Sequence, residues 1–575
     1  MNMILAAVLA ATTVYVSPKG SDSNDGSKQK PVLSAARAVE IVRGVAVDET
    51  KTIVFMDGVH YFTNEVRLVA ADRDYVFRAE RKGKARLTGS VKVTGWRTDP
   101  ADPRFLVADF PFEPTKAAKY AFVANGKLAD FAAYPELSGH RTLRYMATQE
   151  DVPKNNRTVL EYDPLDLPKG MDFRDIDLKS AFVIIPQEWA STSSYIATND
   201  WEHNVFHLAV KSNMPLGRFN TGYKIVNTRH GMREPGTWMF EATAGRIIYW
   251  PRQGETAEKL DAYISRSPSL FAMSGSSGIV FQGLVMDGCA ALPGGGLYAK
   301  ECLRTLVGGR SVTRCSIVDC DLGNTAGTCM TFVKSHNNRL ERSRFHHAGT
   351  SCASFADGGD GNWVVGCEFD HSGMLGGGHG VGVYSRSHVI GNYVHDIEGA
   401  GISAWSGDSE FVSNRIVRTM LVRRDGGGVY GAMIRCLFKD NYCSQNGDWP
   451  GLYNDEGGRD TVYTGNVFEG DWWPFHMHDC YNIIVTNNTF VHDGGMRLSF
   501  QGSTHCKFKD NLIKTALPFK SDPYLDCTDV WSARVQLKQK DGSYSEPETV
   551  TLEKKPLPPQ SPAVAVRVTA PPSWW

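Results

Sequence analysis

The chain has 575 residues, with 62 basic and 63 acidic side chains and a formal net charge of −1 at pH 7. So even a balance gives no footing to a nucleic-acid partner held by a basic face, and it leaves no acidic tail. Its 56 glycines and 11% aromatic residues fit a turn-rich β protein, built as one long solenoid or as roughly two or three domains.

Residues 1–12 are apolar, with the run Ile4-Leu5-Ala6-Ala7-Val8-Leu9. This is too short to span a bilayer and reads as the apolar stretch of an export signal, although no Lys or Arg precedes it. No later segment is apolar enough for a membrane helix. The expectation is a secreted or periplasmic bacterial protein with neither membrane nor nucleic acid as partner. Val14-Tyr15-Val16 reads as a strand, followed by a polar, turn-rich loop over 17–26. Apolar residues at helical spacing predict a helix over 34–42, with Ser34 as N-cap. Strands follow at 52–55, 59–62 and 66–68, so 13–96 reads as the first solenoid coils with a capping helix. Between 97 and 265 the strands lengthen and alternate, as in Phe182-Val183-Ile184-Ile185, which predicts an inserted, sandwich-like β domain. Residues 521–575 are Pro-rich and polar, a tail or a small β appendage.

The stretch 266–520 carries a repeat. Asn392, Asn414, Asn441, Asn466, Asn488 and Asn511 each open a short β run and recur every 22 to 27 residues. Such a period with no helical pattern predicts a right-handed parallel β-helix, an all-β fold, of about nine or ten coils. The phrase extends back through Cys367, Ser343 and Cys315 to Phe281-Gln282-Gly283-Leu284. The Asn residues read as scaffold, because Asn tolerates left-handed backbone and can bond its equivalent in the next coil. All 12 cysteines lie at or after Cys289 without a CxxC pair. Those at the repeat position read as small inward residues, and disulfides are not demanded.

Counted from its own ladder residue, each of His379, Trp405, Asp425, Asp455, His478 and Gln501 falls 11 to 14 residues on. The near-equal offsets predict one column on one face. Carboxylates on adjacent coils would stand about 4.8 Å apart or further. Retaining glycosidases need about 5–5.5 Å and inverting ones about 6.5–9.5 Å, so the stereochemistry stays open. Acids this close push their pKa values apart, leaving one protonated and one ionised.

Several motifs resemble a known group. The opening Tyr15-Val16-Ser17-Pro18-Lys19-Gly20, Val123-Ala124-Asn125-Gly126-Lys127, and above all Glu234-Pro235-Gly236-Thr237-Trp238 with Gly245-Arg246-Ile247-Ile248-Tyr249-Trp250-Pro251, resemble bacterial β-helix glycoside hydrolases. The nearest is glycoside hydrolase family 141, with α-L-fucosidase and xylanase activities; family 120 β-xylosidases are more distant. Asp425-Gly426-Gly427-Gly428-Val429-Tyr430 and Gly451-Leu452-Tyr453-Asn454-Asp455-Glu456 resemble the carboxylate segments of that group. A glutamate expected one coil later in the xylosidases is replaced by Phe475-His476-Met477-His478-Asp479, which departs from that pattern. The resemblance implies catalysis by Asp425 and Asp455, with Glu456 as the alternative second acid. His379, Trp405, Arg424, Tyr430, Trp473, His476, His478 and Gln501 are the candidate substrate-binding residues. No cofactor or metal is expected, since no HExxH helix accompanies His379, His476 and His478. The rival readings are a polysaccharide lyase using Arg386, Arg423, Lys439 or His478, and a non-catalytic carbohydrate-binding solenoid. The sugar, the linkage and the oligomeric state stay open.

Overall fold

The structure, a computed structural model, describes residues 11–45, 50–114, 118–136, 143, 145–146, 155–167, 169, 171–174, 176–216, 222–291, 305–494, 496–516 and 531–551. The proposed export signal therefore lies outside the described residues, save that the first strand, Ala11–Val16, begins inside 1–12. The Pro-rich end beyond residue 551 also lies outside them.

Each coil of the repeat folds into three short strands, for example Trp363–Val365, Glu368–Ser372 and Val381–Val383. The next coil pairs with it in parallel, Val364 against Val389, Phe369 against Val394 and Val381 against Ile402. The first two kinds of strand merge into a 26-stranded sheet, and the third kind forms an 11-stranded sheet. The chain is thus a right-handed parallel β-helix. Alternate residues point inward and stack coil on coil: Phe411 on Phe438 at 4.3 Å and Phe468 on Phe490 at 5.1 Å, the rings of each pair nearly parallel.

The Asn ladder stands at the bend between the first and second strands. The Asn441 carboxamide oxygen accepts from the Asn414 amide at 2.9 Å, and its own amide group donates to Phe411 O at 2.8 Å and to Asn466 Oδ1 at 2.9 Å. The same pattern runs unbroken from Asn392 to Asn511. Upstream, one position differs from the sequence reading. Cys320, not Cys315, occupies the ladder, donating its backbone N–H to Ser343 Oγ. Cys315 belongs to a second ladder, one bend earlier, where its N–H meets Asn338 Oδ1. Each coil has two such bends of similar sequence, so periodicity alone cannot tell them apart. The ten described cysteines are buried free thiols.

At the N-terminal end, helix Ala35–Arg43 has Ser34 as its cap, the hydroxyl accepting from Arg37 N–H. Its Ala38, Val39 and Val42 are buried against the last of the core and close that end. The strands Val66–Leu68 and Tyr75–Ala79 pair directly with Phe271–Ser274 and Val280–Gln282. The solenoid therefore continues without a gap across the intervening segment. That segment forms antiparallel sheets of four and seven strands and a five-stranded sheet that is antiparallel save for one parallel pair, Asp130–Phe131 beside Thr237–Glu241. The first of these already recruits Ser90–Val93. Phe122, Trp238 and Phe240 fill its core, which reaches Ala326 and Leu375 of the solenoid. Among the described residues no helix is long and apolar enough to cross a membrane.

Candidate active site

The 11-stranded sheet carries the candidate residues on its outer face. Its register aligns Gly382, Ser403, Tyr430, Tyr453, His476 and Ser499 on consecutive coils. Two residues further along, a second row holds Trp405, Asp455, His478 and Gln501, with His478 directly paired to Gln501. The single expected column is therefore two rows and a loop. His379 and Asp425 precede their strands, because bends of unequal length intervene and offsets from the Asn do not count them.

Asp455 is the best-anchored acid. Tyr430 Oη donates to Asp455 Oδ2 at 2.9 Å, and His478 Nδ1 donates to Oδ1 at 3.0 Å. Burial alone would raise its pKa, but these bonds, the Glu456 N–H and the His478 charge bring it below the usual carboxylate value. His478 moves up in return, chiefly through its bond to Asp455. Tyr430 stays a phenol, its pKa pushed up by burial and by both aspartates.

Asp425 is the opposite case. Burial, then the charges of Asp455 and Glu188, push its pKa up to about 6. The loop holding it passes tightly over the next coil. A Cβ on Gly428 would stand 2.6 Å from Gly451 O, and Gly426 has φ +139°, where L side chains are strained. The glycine triplet thus lets the backbone place Asp425 beside Asp455.

The other candidates take varied places. Glu456 is exposed, and it forms with Asp455 and His478 a group whose ligand atoms lie within 4.8 Å of one another, a set able to hold a metal. His476 is buried and paired with Ser499 Oγ at 2.9 Å; burial, then His478 and Arg497, takes its pKa down to about 3, so it is neutral. Trp405 is half-buried, edge-on to Tyr430 at 5.7 Å. Trp473 is half-buried, with the Arg497 guanidinium 3.9 Å from its ring centre and His476 at 4.9 Å. Trp472 beside it is 42% exposed. Gln501 and Arg424 are exposed. The His379 ring lies over Gly382, whose Cβ would stand 2.6 Å from Nε2. Burial, then the Arg423 charge, lowers its pKa to about 3. Of the lyase candidates, Arg386 pairs with Asp360, and Lys439 lies in the 26-stranded sheet, off this face.

Two groups have no signal in the sequence. The hairpin joining Phe182–Gln187 to Ala190–Asp200 turns at Glu188 and Trp189. Its Ile184 and Ser191 flank Gly376 and Gly377 of the solenoid, and Glu188 is close enough to raise Asp425. Tyr453 was findable, standing two residues before Asp455 and hence on the same strand face.

The comparisons agree with the fold. A family model described as "Right handed beta helix region" matches residues 271–417 and 379–516. A solved structure described as "Glycoside hydrolase" is similar over 87% of this chain and 96% of that one, at 13% identity and a TM-score of 0.66. XylC in complex with xylose covers 92% and 72% at 14% identity, with a TM-score of 0.38. Pectate lyase Pel9A covers 88% and 80% at 10% identity, also at 0.38. No curated protein matches by sequence.

Proposed function

We propose that the protein is an exported glycoside hydrolase acting on a complex polysaccharide or glycan. The observation that carries this reading is the opposed poise of two neighbouring carboxylates. Asp425 is held up to about 6 and Asp455 below its usual value. Below about pH 6 this gives one protonated acid and one anion, the division of labour that glycosidic cleavage uses. Asp425 protonates the leaving oxygen as the C1–O bond breaks. Asp455, oriented by Tyr430 and His478, acts from the other side as nucleophile or as base to water. Trp405 and Trp472 offer apolar faces to sugar rings, and Arg424, His476 and Gln501 offer hydrogen bonds. An α-L-fucosidase-like, exo-acting specificity is the finer proposal; it rests on the resemblance of the Asp425 and Asp455 segments. The antiparallel segment 97–265 is proposed as a domain inserted in the solenoid, and residues 1–10 as part of an export signal.

The test is saccharide release from a polysaccharide panel by wild type, Asp425→Ala and Asp455→Ala. Saturated sugar from wild type, reduced by roughly 100-fold or more in both folded variants, is the expected result. An unsaturated, ultraviolet-absorbing product would make the protein a lyase. Undiminished release in both variants would move the active face elsewhere.

A further inference from the structure

On the 26-stranded sheet, away from the strands of the carboxylate pair, four residues of two adjacent coils converge. His346 and His347 end the strand Arg344–Ala348, and Asp370 and His371 end Glu368–Ser372. The register pairs His346 with Asp370. One ligand atom each of His347, Asp370 and His371 lie within 4.8 Å of one another. His346 Nδ1 stands beside this group, 2.9 Å from His347 Nδ1.

We infer that His346, His347, Asp370 and His371 form a binding site for a borderline divalent transition ion, zinc foremost, that staples two coils together. Three imidazoles and one carboxylate are a donor set that tetrahedral zinc takes. The surrounding bonds orient these donors. His346 Nε2 donates to Asp321 Oδ1 at 2.8 Å, so its Nδ1 accepts from His347 Nδ1–H, a proton that a bound ion displaces. A carboxylate behind a ligand histidine is the usual way such rings are oriented. The His346 ring is seated over Gly323, where a Cβ would collide with it at 2.4 Å. Asp370 is fully buried, and Arg344 donates to its Oδ2 at 2.9 Å and Oδ1 at 3.2 Å, while His371 Nδ1 meets Oδ1 at 2.7 Å.

His347 and His371 stand at a left-handed bend, with φ of 46° and 51°. The preceding coil uses Asn324 there, φ 47°. Two histidines thus replace the residue the bend itself favours. Their rings stack in parallel at 4.5 Å, so binding turns them about χ2, a soft torsion, until both lone pairs meet one ion.

The experiment titrates EDTA-treated full-length protein with Zn²⁺ by calorimetry, and with Co²⁺ by visible absorption. One ion per chain, an intense tetrahedral Co²⁺ spectrum and a zinc-dependent rise in Tm are expected of wild type. The double variant His347→Asn/His371→Asn keeps the bend and loses at least about 100-fold in affinity and the Tm response. Asp321→Asn, which touches no ion, weakens binding about 10–100-fold and decides the matter should the double variant fail to fold. Absent binding by wild type overturns the proposal. So does unchanged affinity in these variants, which would put the ion elsewhere, as at Asp455, Glu456 and His478. Glycan release plays no part in the readout, so this site stands or falls apart from the hydrolase reading.

Discussion

At Asp425, the proposed catalytic role and stability pull in opposite directions. Its folded pKa, about 6, lies above the ordinary 3.8. The contribution of this group to stability is therefore full below about pH 3.8 and is lost as pH rises through about 6. The charge at pH 8 costs on the order of 1–2 kcal/mol once partial exposure is allowed for. Asp425→Asn should raise the unfolding free energy at pH 8 by that amount, seen as a higher urea midpoint, while saccharide release collapses; an unchanged or lower midpoint would refute the burial account. The same poise sets the pH profile. Because the acid must be protonated, kcat/KM should fall about tenfold per pH unit above about 6. At low pH the limb belongs to Asp455, whose pKa His478 and Tyr430 help to depress. Removing that help, His478→Asn should move the acid limb upward, which a pH–rate series on the variant would show.

Elements are held by repetition. Asn441 sits in a buried ladder, accepting from Asn414 and donating to Phe411 O and Asn466 Oδ1. Asn441→Ala strands the Asn414 N–H, the Asn414 side-chain amide and Phe411 O, all on the preceding coil. Each unmet buried group costs about 1–3 kcal/mol, so an overall loss of about 3–5 kcal/mol is expected in denaturant unfolding. The six Asn residues and their period were legible in the sequence, since αL tolerance and ladder bonding restrict the bend to few residue types. The Cys315 position was not. The phrase Cys315-Ser316-Ile317 and the phrase Cys320-Asp321-Leu322 look alike, and only strand pairing assigns the second to the Asn ladder.

Across the whole molecule, the sheets of the intervening segment bring Glu188, at a hairpin tip, near Asp425 of the solenoid. Glu188 raises Asp425 by like charge, after burial and Asp455. Glu188→Gln should therefore shift the alkaline limb of the pH profile to lower pH without removing activity. An unmoved limb would sever the hairpin from the acid. Trp189 stands next to Glu188 at the tip, 39% exposed; on the proposed function it meets substrate, and Trp189→Ala is expected to raise KM more than it lowers kcat.

By itself the sequence determined the solenoid, its Asn bends and the capping helix, because these follow from local conformational preference repeated at a fixed period. It also brought Trp405, Asp455, His478 and Gln501 to one row, since equal steps along equal coils keep side chains on one face. Tertiary structure decided the rest. The unequal bends displaced His379 and Asp425 from that row, the 376–377 loop met a hairpin nearly 190 residues earlier in the chain, and burial with neighbouring charge and hydrogen bonds moved the pKa values of two chemically identical carboxylates in opposite directions. Those outcomes depend on distances between segments remote in sequence, and no local pattern encodes them.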